Sequence, residues 1–299
     1  MNENPLRWRR IARGPVIRPG TLNPPWDALG SGSCCVIAEN GGYRMYYTGI
    51  NAMGLCVCEA YADAADPHHW MGRGCSLRPP DGVRHLCRGV SYPWVVARSP
   101  DPWLMFLAGW AEPTEAGKLP NTLNVALSRD EGRAWAMAST HPILAHDRDY
   151  DREGIGSACG LRDGGIWRMY YTAISGYSLR PEGLDVPHVL LPHIGIGYAE
   201  SEDGRHWRKP FNEYLVSPRY AAHEPFEYVV SKPCVIRDVD CWRMWVSSCG
   251  RRYRIRSLVS DNGLDWRWVS SPEDGELGLG PPGSFDDNQN CYACVIPTG

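Results

Sequence analysis

The sequence of 299 residues has little lysine, little phenylalanine and no long apolar run. Only three of its 31 basic residues are lysines, and a net charge of -3 gives no strong field to attract nucleic acid or an anionic membrane. No stretch reaches the roughly 18 apolar residues of a membrane-spanning helix. Residues 1–10 lack the apolar core of a signal peptide, so we expect a cytoplasmic protein.

The 12 cysteines show no spacing typical of a zinc site. Cys34 and Cys35 are adjacent, and Cys291 and Cys294 are three positions apart in an apparent strand, so the members of each pair should point in different directions. Reduced cysteines of a cytoplasmic protein pack like small hydrophobic side chains. We therefore expect structural cysteines, with no metal and no cofactor.

A repeated element divides the chain. The repeat begins with a four-residue segment, and its clearest copies have a small residue first and Val-Ile at the third and fourth positions. Nine or ten residues later comes an aromatic strand, such as Arg44–Thr48 or Trp242–Val246. No helical periodicity of convincing length lies between the copies. The copies begin at residues 34, 93, 158, 233 and 293.

Turns rich in Ser, Asp and Gly separate the copies, and each turn is followed by tryptophan. They occupy residues 128–135, 201–207 and 260–266. Ser and Asp oxygens accept hydrogen bonds from turn amides, Gly takes a positive φ, and the Trp enters the next strand. Each unit of the repeat thus predicts a four-stranded antiparallel blade.

The sequence therefore predicts an all-β fold, a single five-bladed β-propeller over residues 1–299. Trp8 is followed by an apolar pair, Val16 and Ile17, and the tryptophans after the turns are followed by similar apolar pairs. We therefore expect the N-terminal segment to form the outer strand of the last blade and so to close the ring. Three residues follow Ile296, too few for the middle strands of that blade, which we interpret as a shortened chain. The blades are expected at about 26–78, 85–145, 150–217, 224–272 and, for the last, 285–299 with 7–18.

Acidic residues recur just before the predicted inner strands, and the second blade has Arg88 there instead. Inner strands of a propeller begin at one end of its central channel, where binding sites collect. Carboxylates brought together there shift each other's pKa, so one can stay protonated while another is ionised, as glycoside cleavage requires. The acids are Asp27, Asp151, Glu153, Glu224, Glu227, Asp286 and Asp287.

Loops at the same end carry further candidates for substrate binding. Arg251 and Arg252 form a short hairpin that could bind a carboxylate or phosphate of the substrate, or serve as a solvated basic edge. The predicted substrate-binding residues are Arg88, Trp110, Glu153, Tyr177, His188, Arg251, Arg252 and Asp287.

The inner-strand acids, the Met-Tyr-Tyr-Thr strands at 45–48 and 169–172, and the turns resemble the five-bladed propeller clan of arabinanases, xylosidases, invertases and levansucrases. The resemblance covers nearly the whole chain. It implies that Asp27 is the base or nucleophile, that Asp151 orients the substrate, and that Glu227 or Glu224 is the acid. The chain lacks the Asn-Asp-Pro-Asn and Arg-Asp-Pro signatures of invertases, and Ala28 follows Asp27 where arabinanases usually have proline.

Three functions remain open. The first is a glycosidase-like hydrolase acting on a small glycoside or sugar-derived metabolite. The second is a propeller enzyme recruited to elimination, cyclisation or group transfer in a biosynthetic pathway, which an aromatic-walled site with only one well-placed acid would favour. The third is a non-catalytic binding propeller, which would have acids far apart and screened by solvent. In each case the expected partner is a small molecule.

Overall fold

The computed structural model describes residues 6, 8–11, 14–97, 102–186, 189–219, 227–271 and 273–297. Within these ranges the chain forms strands, turns and one short 3-10 helix, Arg84–Leu86, so the predicted all-β class is confirmed. The strands are β1 (Gly30–Glu39), β2 (Gly42–Asn51), β3 (Gly54–Asp63), β4 (Met71–Leu77), β5 (Gly89–Val96), β6 (Trp103–Trp110), β7 (Asn121–Ser128), β8 (Ala136–Met137), β9 (Gly154–Asp163), β10 (Ile166–Leu179), β11 (Leu190–Ser201), β12 (Val229–Arg237), β13 (Trp242–Cys249), β14 (Tyr253–Ser260) and β15 (Arg267–Trp268).

The strands form four antiparallel groups, here called meanders 1 to 4. They are β1–β4, β5–β8, β9–β11 and β12–β15, in which each strand pairs with its neighbour in sequence. Isolated bridges at Val216 and Arg208 stand where a fourth strand of meander 3 would lie. The first strand of each meander corresponds to one copy of the sequence repeat, and we call it the inner strand. Among the described residues, no helix is long and apolar enough to cross a membrane.

The tryptophan after each turn packs against the second strand of the preceding meander. Trp135 makes an edge-on contact with Tyr46, with ring centroids 5.6 Å apart. Equivalent contacts join Trp207 to Phe106 at 6.0 Å, Trp266 to Tyr170 at 5.8 Å and Trp8 to Trp245 at 6.0 Å. These aromatic pairs pack each meander against the preceding one. The Met-Tyr-Tyr-Thr runs at 45–48 and 169–172, which contribute Tyr46 and Tyr170 to these contacts, are buried throughout.

Cysteine side chains join successive inner strands. Cys159 in β9 accepts a hydrogen bond from the main-chain N–H of Val235 in β12, at 3.2 Å. The same link occurs between Val95 N and Cys35 Sγ at 3.3 Å, Val295 N and Cys234 Sγ at 3.3 Å, and Val36 N and Cys294 Sγ at 3.2 Å. The link between β5 and β9 differs, because Trp94 occupies the position in the repeat at which the other copies have cysteine. Its Nε1 donates a hydrogen bond to the carbonyl of Gly160 at 2.9 Å.

Neither end of the chain forms the strand that the sequence predicts. Residues 8–11, 14–29 and 291–297 have no assigned strand. Side chains hold them instead, because Trp8 Nε1 donates to Glu276 at 2.7 Å and Arg10 Nε contacts Asp286 at 2.5 Å. A strand is defined by backbone hydrogen bonds to a neighbour, and these segments contact their neighbours mainly through side chains.

We expect Cys159→Ala to destabilise the protein by about 1–3 kcal/mol, because the buried N–H of Val235 would lose its acceptor. The free energy of unfolding in urea measures this effect. Cys87→Ala is the matched control, since Cys87 is exposed, and it should cost less than about 0.5 kcal/mol. Equal stability of the two variants would contradict a role for the thiol in joining the inner strands.

Candidate active site

Two inner strands, β5 and β12, and the segment 291–297 each carry a residue with strained backbone at the same point of the repeat. Tyr92, Lys232 and Tyr292 have φ values of 52°, 50° and 61°, which side chains of this size rarely adopt. Each lies two residues before the cysteine, or Trp94, that links the inner strands to one another. Their main-chain N–H groups donate to the hydroxyls of Thr48 at 3.1 Å, Thr172 at 3.0 Å and Ser247 at 2.7 Å.

These three side chains line a cavity of about 310 Å³, here called the central cavity. Lys232 is the one charged side chain in its lining, as far as the described residues show. The other polar groups include Asn121, whose buried Oδ1 has no hydrogen-bond partner among the described residues. The aromatic lining residues are Tyr92, Trp110, Tyr177, Tyr228, Tyr253 and Tyr292.

Four of the aromatic rings form a continuous wall. Tyr292 lies 5.3 Å from Tyr92 and 5.9 Å from Tyr253, and Trp110 lies 6.3 Å from Tyr92. Burial raises the pKa of Tyr92, Tyr253 and Tyr292 well above its usual value, so their phenols stay neutral. A wall of neutral rings suits a ligand with an apolar face.

A second hollow, here called the annex, adjoins the central cavity. It has a volume of about 530 Å³ and shares Tyr177 and Leu190 with the cavity lining. Lys118 Nζ donates to both oxygens of Glu153, at 2.8 and 2.9 Å, and lies 5.5 Å from the centre of the Tyr177 ring. The other charged or titratable residues in its lining are Asp149, Arg152 and His193.

Partial burial affects the protonation of the histidine in the annex. Burial lowers the pKa of His193 below its usual value, so the imidazole is neutral at neutral pH. Its Nε2 lies 2.7 Å from the hydroxyl of Ser178. The annex therefore brings together an ion-paired carboxylate and a neutral imidazole at the edge of an aromatic cavity.

Asp27 lies inside meander 1. It is fully buried, and its Oδ2 accepts hydrogen bonds from the main-chain N–H of Asn23 at 3.1 Å and from Tyr47 at 2.8 Å. Its Oδ1 is also buried and has no hydrogen-bond partner among the described residues. These contacts tie the segment before β1 to β2.

Asp151 and Glu227 are held in the same way in meanders 3 and 4. Asp151 accepts hydrogen bonds from Lys209 Nζ at 2.5 Å and from the main-chain N–H of Arg148 at 3.0 Å. Glu227 accepts hydrogen bonds from Arg256 Nη1 at 2.9 Å and from the hydroxyl of Ser248. Neither carboxylate is in the lining of the central cavity or the annex.

The remaining predicted site residues divide into three groups. Trp110, Glu153 and Tyr177 meet at the central cavity and the annex. Four others are in neither lining: Arg88 is exposed beside Glu112, Arg251 and Arg252 are exposed on their hairpin, and Asp287 accepts a hydrogen bond from Gly283 N at 2.7 Å. Glu224 and His188 lie outside the described residues.

A larger depression of about 760 Å³ lies beside β3 and β4, lined in part by Pro79, Pro80 and Arg84. Its lining residues belong to meanders 1 and 2 and to the segments next to them, and they do not include Tyr92, Lys232 or Tyr292. We therefore place the candidate site at the central cavity, where three strained residues converge and which adjoins the annex with its ion-paired carboxylate.

Comparison with known sequences reveals relatives of no assigned function. No family model matches the chain. Two uncharacterised proteins of Mycobacterium tuberculosis are 34% and 33% identical over 213 residues, which make up 70% of this chain. The match spans 63% of the length of each relative, which is less than two thirds.

Comparison with solved structures reveals similar folds. A glycosyl hydrolase from Bacteroides ovatus has a TM-score of 0.63 at 14% identity, over 89% of this chain and 80% of the other. A thermostable family-43 glycoside hydrolase has a TM-score of 0.60 at 16% identity, over 87% and 78%. A structure from the GH130 family of mannoside phosphorylases and glycoside hydrolases has a TM-score of 0.67 at 15% identity, over 94% and 84%.

The chain has the fold of the propeller glycoside hydrolases. This confirms, at the level of the fold, the resemblance that the repeat and the turns indicated. At these identities the likeness describes the fold alone, so the chemistry of this glycoside hydrolase fold depends on the residues of the site.

The sequence contained a signal for the residues that its interpretation missed. Tyr92, Lys232 and Tyr292 occupy one phase of the repeat, immediately before the small residue of each copy. A search by repeat phase for large side chains would have selected them, whereas a search for acids selected residues that lie inside the meanders. Lys118 carried no such signal, because it lies in a loop outside the repeat.

We expect Asp151→Asn to lower stability by about 3–5 kcal/mol, because it removes a fully buried partner of the buried Lys209 ammonium. Asp147→Asn is the control, since Asp147 contacts the same ammonium at 2.8 Å but is half exposed, and it should cost about 0–1 kcal/mol. Urea unfolding measures both values. An Asp151→Asn protein that is as stable as the wild type yet inactive would instead support the catalytic role predicted from the sequence.

Proposed function

We propose that the protein is a glycosidase-like enzyme that binds a small sugar-containing molecule in the central cavity and acts on it beside Glu153. One observation carries the proposal. An aromatic-walled cavity of about 310 Å³ adjoins a hollow that contains an ion-paired carboxylate. This volume and this mixture of aromatic and few polar groups are typical of small-molecule sites.

The proposed architecture is a five-bladed ring. The first four blades would be the four meanders, and the fifth would combine the segment around Cys294 with the segment around Trp8. Two contacts support this arrangement. Trp8 packs on Trp245 as the turn tryptophans pack on their preceding meanders, and Cys294 accepts a hydrogen bond from Val36, as the other cysteines do from their next inner strands.

The cavity lining suits a sugar ring. The apolar face of a pyranose would stack on the wall formed by Tyr92, Tyr292 and Trp110. The hydroxyls of the sugar would meet polar groups, of which the unpartnered Oδ1 of Asn121 is the clearest acceptor. A buried carbonyl without a donor is costly, and a ligand hydroxyl would satisfy it.

Glu153 is the carboxylate that we assign to the chemistry. Its two oxygens accept hydrogen bonds from Lys118 Nζ, and a carboxylate held in this way can be positioned as a base or a nucleophile. Asp149 is the second carboxylate in the annex lining, and a pair of carboxylates is the usual requirement for glycoside cleavage. We propose that Asp27, Asp151 and Glu227 hold their meanders in place and do not touch the substrate.

One observation favours a second candidate, a non-hydrolytic reaction such as elimination or group transfer. Among the described residues, no carboxylate is in the lining of the central cavity itself, and Glu153 is the one predicted acid that reaches the annex. Reaction in water enriched in oxygen-18 separates the two candidates. Hydrolysis introduces the label into the product, and elimination or transfer to another acceptor does not.

We expect turnover of at least one member of a panel of 4-nitrophenyl glycosides. Glu153→Gln should lower kcat/KM by about 100-fold or more, because it removes the ionised carboxylate while keeping its shape. Glu202→Gln, at an exposed turn, is the matched control and should retain wild-type kcat/KM. Unchanged kcat/KM in Glu153→Gln would contradict the assignment, and binding without turnover by the wild type would favour a non-catalytic propeller.

A further inference from the structure

Lys232 is a buried cation without a hydrogen-bond partner. Its side chain is 2% exposed, and its Nζ has no acceptor among the described residues. The ammonium lies 5.6 Å from the centre of the Trp94 ring, whose π-face is attractive to a cation but is no substitute for an oxygen acceptor. Lys232 also belongs to the lining of the central cavity.

Two of the described acids near the inner strands already have cationic partners. Asp151 is paired with Lys209, and Glu227 is paired with Arg256. Around the ammonium lie cysteine thiols, of which Cys234 and Cys294 already accept main-chain N–H groups. A buried ammonium that lacks an oxygen partner costs several kcal/mol, so a ligand that supplies an anion would gain correspondingly.

The backbone fixes Lys232 in this position at the expense of strain. Its φ of 50° is rare for lysine, and its N–H donates to Thr172 Oγ1 at 3.0 Å. Thr172 Oγ1 lies in turn 2.8 Å from Ser157 Oγ, and both hydroxyls are in the cavity lining. Strained residues held by their surroundings are concentrated at ligand-binding sites.

We propose that Lys232 binds an oxyanion of the substrate, a carboxylate or a phosphate carried by the sugar, in the central cavity. The inference deepens the proposed function, since it names the class of sugar that the same site takes. It moves the anion-binding role from Arg251 and Arg252, which the sequence suggested but which are exposed and outside the cavity lining, to the buried lysine.

The position of Lys232 also sets where the anion lies relative to Glu153. The Thr172 hydroxyl that accepts the Lys232 N–H contacts Ser157 of β9, and Glu153 lies four residues before Ser157, just ahead of β9. At about 3.3 Å per residue, the two levels are about 13 Å apart along the strand direction. A sugar acid with its anion on Lys232 would extend toward the annex.

Calorimetric titration of the wild-type protein with D-glucuronate, D-glucose, D-glucose 6-phosphate and inorganic phosphate tests the inference. We expect the sugar carboxylate or the sugar phosphate to bind more than about tenfold tighter than glucose, and which of the two does so identifies the oxyanion. Lys232→Met should weaken the anionic sugar to the affinity of glucose while leaving glucose binding unchanged. Lys232→Arg, which restores the charge, should recover part of the preference.

Arg205→Met is the matched control, since Arg205 is an exposed cation of a turn and its loss should leave all four affinities unchanged. Should Lys232→Met fail to fold, competition between glucuronate and inorganic phosphate for the wild-type protein supplies the test. Equal affinity of the wild type for glucose and for both anionic sugars would overturn the inference, as would unaltered anion binding in Lys232→Met. Lys232-dependent binding of inorganic phosphate without any sugar binding would support the anion site and contradict the proposed function.

Discussion

The fold depends on the hydrogen bonds that join the inner strands to one another, through a cysteine thiol in most cases and through Trp94 between β5 and β9. In these links a main-chain N–H of one strand donates to the Sγ of the preceding one, as Val235 does to Cys159. A thiol fits this position because it is small, apolar and still able to accept a hydrogen bond. With the tryptophan contacts farther out, these links determine how close the strands approach one another and hence the size of the cavity that they enclose.

The same constraint creates the site. Two residues before the linking position, β5 and β12 bulge at Tyr92 and Lys232, and Tyr292 has the same positive φ; all three residues line the central cavity. The acids before the inner strands are instead bound by their own meanders, as Asp151 is by Lys209. The aromatic cavity is thus part of the scaffold, and the charged groups Glu153 and Lys118 stand at its edge, in the annex.

The sequence was sufficient to predict the class of fold, because the repeat and its turns are local patterns that recur in phase. It was not sufficient to predict the orientation of the acidic side chains that recur just before the inner strands. The orientation of Asp151 depends on Lys209, 58 positions later, and that of Glu227 depends on Arg256, 29 positions later. Lys232 has the same phase in the repeat as Tyr92 and Tyr292, so the sequence marked its position, but the bulge of β12 that places it in the cavity lining is visible only in the structure.

Crystals of the protein soaked with D-glucuronate would test the central claim, which is that the aromatic cavity between the inner strands is the ligand site. The account predicts difference density for one sugar stacked on Tyr92 and Tyr292, with its carboxylate within hydrogen-bonding distance of Lys232 Nζ. Density in the depression beside Pro79 and Arg84, or next to Asp27 inside meander 1, would contradict it.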